Sequence, residues 1–454
     1  MRGKATEWWP TWLGSSRGTK HFQRKARSMI KPMRGCTACV AALAFAANAA
    51  AQTTARPAAA QRDTNQQAGN TGAAKTRSPD ALLKPDPLDP LLRPADRAQA
   101  WLDSKKHLAL KASYTLLNQY GVTTPGTRHD QVSARLDFQG VWTMHQQGGF
   151  ENKAPHADQT TLNLLVRSGT NIGQSQQWDL NDSLGSTQGI NSLQGSGAQR
   201  PIMVNLLYLK QTWDQQRVAL YVGKLHPNQH IGLSPVNNDE SSQFLGGPFD
   251  GDAAQTALGT YAPGIALEVG PPNGFYSHLL VIDSKAKPWD GTQTLFDGRG
   301  YEALEGGWKR GTQGEGGRDL RVAIYHQNPP ALGHGHGIGV GGDWEFHNGG
   351  LAHWMPFGRL GFDTKSGTAI QQVSTVGVAH TLPFGRKGDL FGAAATWTRP
   401  STPGRHEQLT EAFYRLKVAD SLEFSPDVEW LRNPANTAKI DSTVILGTRL
   451  KVIF

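Results

Sequence analysis

From Leu108 to the terminal Phe454, apolar and polar residues alternate with a period of two, the signature of strands with one oily and one wetted face. In Leu422–Trp430, the residues Leu422, Phe424, Pro426, Val428 and Trp430 share one face, while Glu423, Ser425, Asp427 and Glu429 take the other. In Glu411–Val418, Ala412, Tyr414, Leu416 and Val418 oppose Glu411, Phe413, Arg415 and Lys417. Val132, Ala134, Leu136 and Phe138 likewise oppose Ser133, Arg135, Asp137 and Gln139, and Val444 to Phe454 alternates around Arg449 and Lys451. The pattern predicts strands over 108–120, 131–144, 158–169, 202–213, 216–224, 262–270, 274–282 and 301–309. It continues over 319–326, 337–347, 351–362, 369–381, 389–398, 406–418, 420–431 and 441–454, sixteen strands with an error of about two.

Most of these segments reach the 9–11 residues that a tilted membrane strand needs. Connection lengths agree with a transmembrane barrel, in which short periplasmic turns alternate with longer external loops. Connections after even strands include Asp214-Gln215, Pro271-Pro272-Asn273, Asn348-Gly349-Gly350 and Ala419–Asp420, whereas the two longest, near 170–201 and 225–261, follow odd strands. The long connections near 145–157 and 310–318 depart from the rule. Trp142, Trp213, Trp308, Trp344, Trp354, Trp397 and Trp430 suit interfacial aromatic girdles. The expected fold is therefore all-β: a transmembrane antiparallel up-and-down β-barrel of about sixteen strands, whose size encloses an aqueous channel.

The N-terminal region reads differently. Residues 1–51 form an N-terminal extension and signal peptide: Arg24, Lys25, Arg27, Lys31 and Arg34 precede an apolar run from Cys36 to Ala46, and Ala49-Ala50-Ala51 offers a small-residue cleavage site. Met29 or Met33 is an alternative start. Residues 52–95, rich in Ala, Pro and Gln, predict a flexible periplasmic tail, because such a composition buries too little apolar surface to offset ordering. Within it, Leu82–Leu92 carries too many prolines for helix or central strand, though it could dock. A short helix is expected over 95–105, and the barrel domain spans 96–454.

Composition sharpens this picture. Gly accounts for 52 of 454 residues, and no stretch approaches the ~18 apolar residues of a membrane helix. The formal charge of +9 resides in the leader. Residues 1–51 hold nine Lys/Arg and one acid, so 37 of 46 bases and 36 of 37 acids remain, a net charge of +1. No excess of positive charge is left to hold a nucleic acid. Both cysteines, Cys36 and Cys39, fall in the signal, leaving no disulfide, thiolate or Cys-ligated metal thereafter.

The runs Leu207–Trp213 (LYLKQTW) and Val218–Asn228 (VALYVGKLHPN) resemble carbohydrate-selective porins of the OprB type. Ser241–Leu245 (SSQFL) and Tyr261–Gly264 (YAPG) follow in that family's order, and the terminal Phe454 is similar to its C-terminal aromatic. The resemblance covers about 95–454 and implies a sixteen-stranded barrel in the Gram-negative outer membrane that admits sugars by passive diffusion. It further implies outer-membrane lipid as surroundings, recognition of Phe454 by the barrel insertion machinery, and the homotrimer that porins often form. His226-Pro-Asn-Gln-His230 departs from the more acidic run expected after Gly-Lys, and the tail is longer than a plain porin requires.

Sugar sites combine hydrogen-bonding charged groups with aromatic faces. The expected substrate-binding residues are Arg135, Asp137, Lys224, Arg321, Tyr325, Arg415, Glu429, Arg449 and Lys451, with Lys224 and the loop after it as the expected constriction. The competing expectation is that opposed charges merely brace the wall. Gly333-His-Gly-His-Gly337 has too few ligands for a metal, and Asn237-Asn238-Asp239-Glu240 lacks calcium-loop spacing. No catalytic motif, cofactor or metal is expected. The alternatives are an export channel for an exopolysaccharide, which a strongly basic lumen would favour, and a lipid-modifying enzyme on a smaller barrel.

Overall fold

The computed structural model describes residues 80–150, 156–173, 180–187, 189–193, 202–249, 261–287, 290–295, 299–311, 316–327, 335–347, 349–363, 370–401 and 404–454. The expected signal peptide and most of the expected tail lie outside them. Among the described residues, no helix is long and apolar enough to cross a membrane.

Sixteen antiparallel strands close into one barrel, each paired with its sequence neighbours and the last with the first. They are β1 (Leu108–Gly121), β2 (Asp130–Gln146), β3 (Gln159–Asn171), β4 (Met203–Trp213), β5 (Val218–Leu225), β6 (Ala262–Val269), β7 (Gly274–Asp283) and β8 (Gly300–Arg310). The circuit continues with β9 (Arg318–Gln327), β10 (Gly335–Trp344), β11 (Trp354–Asp363), β12 (Ile370–His380), β13 (Leu390–Pro400), β14 (Glu407–Ala419), β15 (Leu422–Arg432) and β16 (Ser442–Ile453). Closure runs from Ser113 opposite Ile453 to Gly121 opposite Ile445, and Phe454 N–H donates to Ala112 O at 2.9 Å. Closing the sheet removes every unpaired edge, which backbone in lipid cannot tolerate.

The period-two pattern sets the facing of each side chain. Outward positions such as Leu136, Val340, Val428 and Leu446 are exposed and supply the apolar band that lipid wets. Trp142 and Trp213 stand exposed toward the rim that carries the short even-numbered turns, and Trp397 and Trp430 toward the opposite rim. The Arg318 guanidinium lies 4.1 Å from the Trp344 ring centroid on the same outward face.

One expectation requires correction. The helix α1 spans Asp89–Lys106 and so begins six residues before Ala95. Pro90 falls in its first turn, where no amide donor is required, and Pro94 follows within the next, so neither proline prevents the helix. The stretch before it is docked: Leu83 N–H donates to Val418 O, and Asp86 accepts from the Ser421 amide and hydroxyl at 2.7 and 2.9 Å. The inner face carries apolar as well as polar side chains. Tyr208, Tyr221, Tyr301 and Tyr325 on β4, β5, β8 and β9 point inward with Ala266, Leu280 and Ala303 to form one buried apolar cluster. Phe357, Ala379, Leu390, Leu409 and Phe413 form another on the far wall. Both exist because loops fold into the lumen and pack on these walls.

Close packing inside explains two glycines. A Cβ on Gly337 would fall 2.0 Å from the Tyr325 ring, so its absence seats that ring against β10. Gly223 has φ +144°, and a Cβ there would meet Leu207 O at 2.3 Å.

Candidate pore constriction

The connection between β5 and β6 turns inward instead of standing clear of the barrel. Its apolar side chains Ile231, Val236, Phe244, Leu245 and Phe249 are buried to 2% exposure or less. Phe244 meets Phe357 and Phe413 edge-on at 5.7 and 4.9 Å between ring centroids. Desolvating these large rings against the wall supplies the drive to bring the loop in. The β3–β4 connection follows it. Its short helix α2 (Leu180–Leu184) buries Leu180 and Leu184, and Ser192 N–H donates to Leu245 O at 2.8 Å.

Polar anchors fix the position that apolar burial favours. The tip, Asp239 to Ser241, is held from several strands. The Arg135 guanidinium of β2 lies 2.5 Å from Glu240 Oε1, and that of Arg167 on β3 lies 3.3 Å from it. Asp137 braces both guanidiniums, at 2.8 Å from Arg135 and 3.2 Å from Arg167. From β16, Arg449 donates to Glu240 O at 2.6 Å, and Lys451 donates to the Ser241 hydroxyl at 2.7 Å. Lower on the loop, Glu411 accepts the Leu245 and Gly246 amides at 2.6 and 2.8 Å, and Arg359 donates to Asn237 Oδ1 and Phe249 O. Asp343 accepts from the Ser234 hydroxyl, and Glu305 from the Gly232 amide. Burial alone pushes the Asp239 carboxyl up. The Lys451 charge and hydrogen bonds from Ser241 and Ser242 outweigh that and hold it well below the usual carboxylate range.

The nine expected site residues thus divide. Arg135, Asp137, Arg449 and Lys451 converge on the loop tip, so they grip protein in place of solute. Arg321 is buried and bonds Asp343 at 2.7 Å. Tyr325 is buried beside Tyr301, their ring centroids 5.9 Å apart. Glu429 is fully buried and accepts from Gln119 at 2.8 Å. Arg415 lies near the periplasmic rim and donates to Gly388 O. Lys224 is misplaced by the sequence reading. Its register partner is Leu207, whose exposed side chain faces outward, and inward facing belongs instead to Gly223 and Leu225. Its Nζ donates to Asp290 O. Lys224→Ala is therefore expected to leave single-channel conductance and ion selectivity unchanged in a planar bilayer.

Residues outside the expected site are Glu240, Arg167, Arg359 and the inward tyrosines other than Tyr325. Period two alone places Arg167 on one face with Thr161 and Asn163, so that signal was available. The inward fold of Glu240 leaves no local trace.

A second wall remains partly open to the lumen. Lys210 lies 5.2 Å from the Tyr221 ring, whose hydroxyl donates to Glu268 at 2.8 Å. Beside it, Lys309 lies 4.6 Å from the Tyr276 ring, whose hydroxyl donates to Asp319 at 2.9 Å. Lys210, Glu268, Lys309 and Asp319 all keep partial exposure. This sector repeats one unit: a lysine over a tyrosine bonded to a carboxylate.

Residues 304–454 match the family model described as carbohydrate-selective porin, OprB family. The family likeness thus holds over the last third of the chain. The fold agrees: the high-pH structure of Pseudomonas putida OprB superposes with a TM-score of 0.64 at 11% identity, covering 78% of this chain and 96% of that one. The low-pH structure of the same protein gives a TM-score of 0.49 at 12% identity over 79% and 96%. No curated protein matches the chain at a significant level. The OprB-family match and the closed barrel identify an outer-membrane porin of a Gram-negative bacterium.

Proposed function

We propose that the barrel conducts sugars and similar small hydrophilic solutes by passive diffusion between the infolded loop and the β4–β9 wall. The paired Lys210–Tyr221–Glu268 and Lys309–Tyr276–Asp319 units carry this reading. Each presents an ammonium donor, a carboxylate acceptor and an aromatic edge, the combination that sugar hydroxyls and C–H faces use. Exchange is fast because each contact is single and partly solvated, so no solute is held tightly.

The signs of charge along the lumen are mixed, which argues for neutral solutes over an acidic exopolysaccharide. Sixteen strands exceed the smaller barrel that a lipid-modifying enzyme would use, and the channel performs no chemistry on its cargo in this reading. The segment 52–79 remains a periplasmic tail behind a cleaved signal, Phe454 presents the chain to the insertion machinery, and a homotrimer is the assembly proposed for the membrane. Liposomes containing the purified protein are expected to swell in iso-osmotic glucose but not in a large oligosaccharide. Absence of glucose-driven swelling together with absence of ion conductance ends the proposal.

A further inference from the structure

The lipid-facing surface from β11 to β16 is unusual in its charge. Over these six strands the outward positions are apolar, hydroxylic, amide or imidazole, with no Asp or Glu among the described residues. Two formal charges break the pattern, Arg399 on β13 and Arg432 on β15, and both side chains are exposed. Both lie at the rim away from the chain termini, and that rim faces the exterior in a porin with periplasmic ends.

Their register places them together. Arg432 stands opposite Gln408 of β14, and Gln408 stands opposite Trp397, two residues below Arg399. Gln372 of β12 stands opposite Arg399 on the other side. Two strand spacings across and two residues along separate the arginine Cα atoms by roughly 12 Å, a gap that two extended guanidinium side chains can close upon one ligand. Trp397 and Trp430 lie just below, with both indoles exposed at the level where aromatic belts meet headgroups. Neither arginine has an acidic partner among the described residues, whereas neighbouring Arg405 is bound to Asp441 at 2.6 Å.

An unpaired guanidinium facing lipid is costly toward the bilayer midplane and tolerated near the interface. Two of them on an otherwise charge-free face, flanked by two amides and underlain by two indoles, match an anionic group bearing planar oxygen acceptors. Guanidinium pairs with phosphate in two-pronged geometry, and the amides of Gln372 and Gln408 can complete the set. The opposite side of the rim does not share this character, since its outward charges include Asp130 and Glu302.

We propose that Arg399 and Arg432, with Gln372 and Gln408, form a phosphate-binding site that holds a phosphorylated glycolipid of the outer leaflet against the β12–β15 face. The outward facing and the indoles beneath commit the site to a lipid headgroup, because a soluble anion would gain nothing from the indole shelf.

Native mass spectrometry on the full protein in detergent, titrated with bis-phosphorylated lipid A, tests this. Wild type is expected to retain the lipid, and the Arg399→Ser/Arg432→Ser double variant to lose affinity by roughly thirtyfold, from two cationic contacts at the membrane surface. Dephosphorylated lipid A should bind wild type as weakly as the intact lipid binds the double variant, and raised salt should weaken only the phosphorylated complex. Equal retention by wild type and double variant overturns the site. Equal retention of the dephosphorylated lipid overturns its phosphate chemistry. Displacement of lipid A by inorganic phosphate at matched concentration overturns the lipid source. Glucose-driven liposome swelling and heat-modifiable gel mobility should match wild type in the double variant, which separates this test from that of the channel. Should the double variant not fold, Arg432→Ser alone is expected to show about a fivefold loss, and no loss there counts against the site.

Discussion

Glu240→Ala is expected to raise single-channel conductance severalfold, because it removes the carboxylate by which two strands hold the loop tip. Glu240 is 5% exposed and shared between Arg135 and Arg167. Breaking a buried ion pair from one side typically costs about 3–5 kcal/mol, since the partner charge is left behind in a poor solvent. Asp137 still braces both guanidiniums, so the wall itself should stand. The base of the loop also keeps its anchors through Glu411 and Arg359. The loosened part is therefore the tip, and the passage widens without loss of the barrel. Glu240→Gln keeps a hydrogen-bond acceptor and should give an intermediate conductance. A planar-bilayer recording in which Glu240→Ala conducts like wild type would show that the tip does not define the passage.

The contrast between wall and tip shows what a linear pattern encodes. Outward residues such as Val428 and Trp430 and inward ones such as Asp427 and Glu429 are sorted by lipid on one side and not on the other, so period two reports their facing directly. All sixteen strands are recoverable on that basis, with bounds that differ from the observed ones by three residues or fewer. Membership of the site is a different matter. Arg135 and Lys451 are 316 positions apart in sequence yet grip adjacent residues of one loop, and neither strand signals that partner. Tyr221 and Tyr301 fall on the inner face that alternation marks as wet. They are buried there because a loop brings its own apolar residues to cover them. Lys224 failed for a local reason: Gly223 precedes it, and placing that glycine inward puts the lysine outward.

The proline-rich stretch near Leu83 and Asp86 teaches a similar point. Its composition forbids regular pairing, yet two amides and a hydroxyl supplied by Leu83 and Ser421 suffice to dock it at the β14–β15 turn. Composition judges whether a segment can build a core of its own, and not whether an existing wall can hold it.

Arg449→Ala is expected to move the reversal potential toward cation preference and to lower barrel stability by about 3–5 kcal/mol. Glu411, Asp427 and Glu429 occupy neighbouring inward positions on β14 and β15, with Glu411 directly opposite Glu429. All three are 3% exposed or less. Arg449 of β16, opposite Ser425 and two residues from the Gly447 that faces Asp427, is the guanidinium set beside this group. Its side chain is 1% exposed and also donates to Glu240 O, so its removal both uncovers negative charge and frees the loop from one side. The two consequences are separable. Arg449→Lys restores a cation but not the planar donor geometry, and should return most of the selectivity while leaving conductance raised. Arg449→Ala combined with Asp427→Asn removes one acid with the base and should bring the reversal potential back toward the wild-type value. If Arg449→Ala instead leaves both the reversal potential and the heat-modification temperature at wild-type values, the acids are already neutralised by other means and the guanidinium serves only to seat the loop.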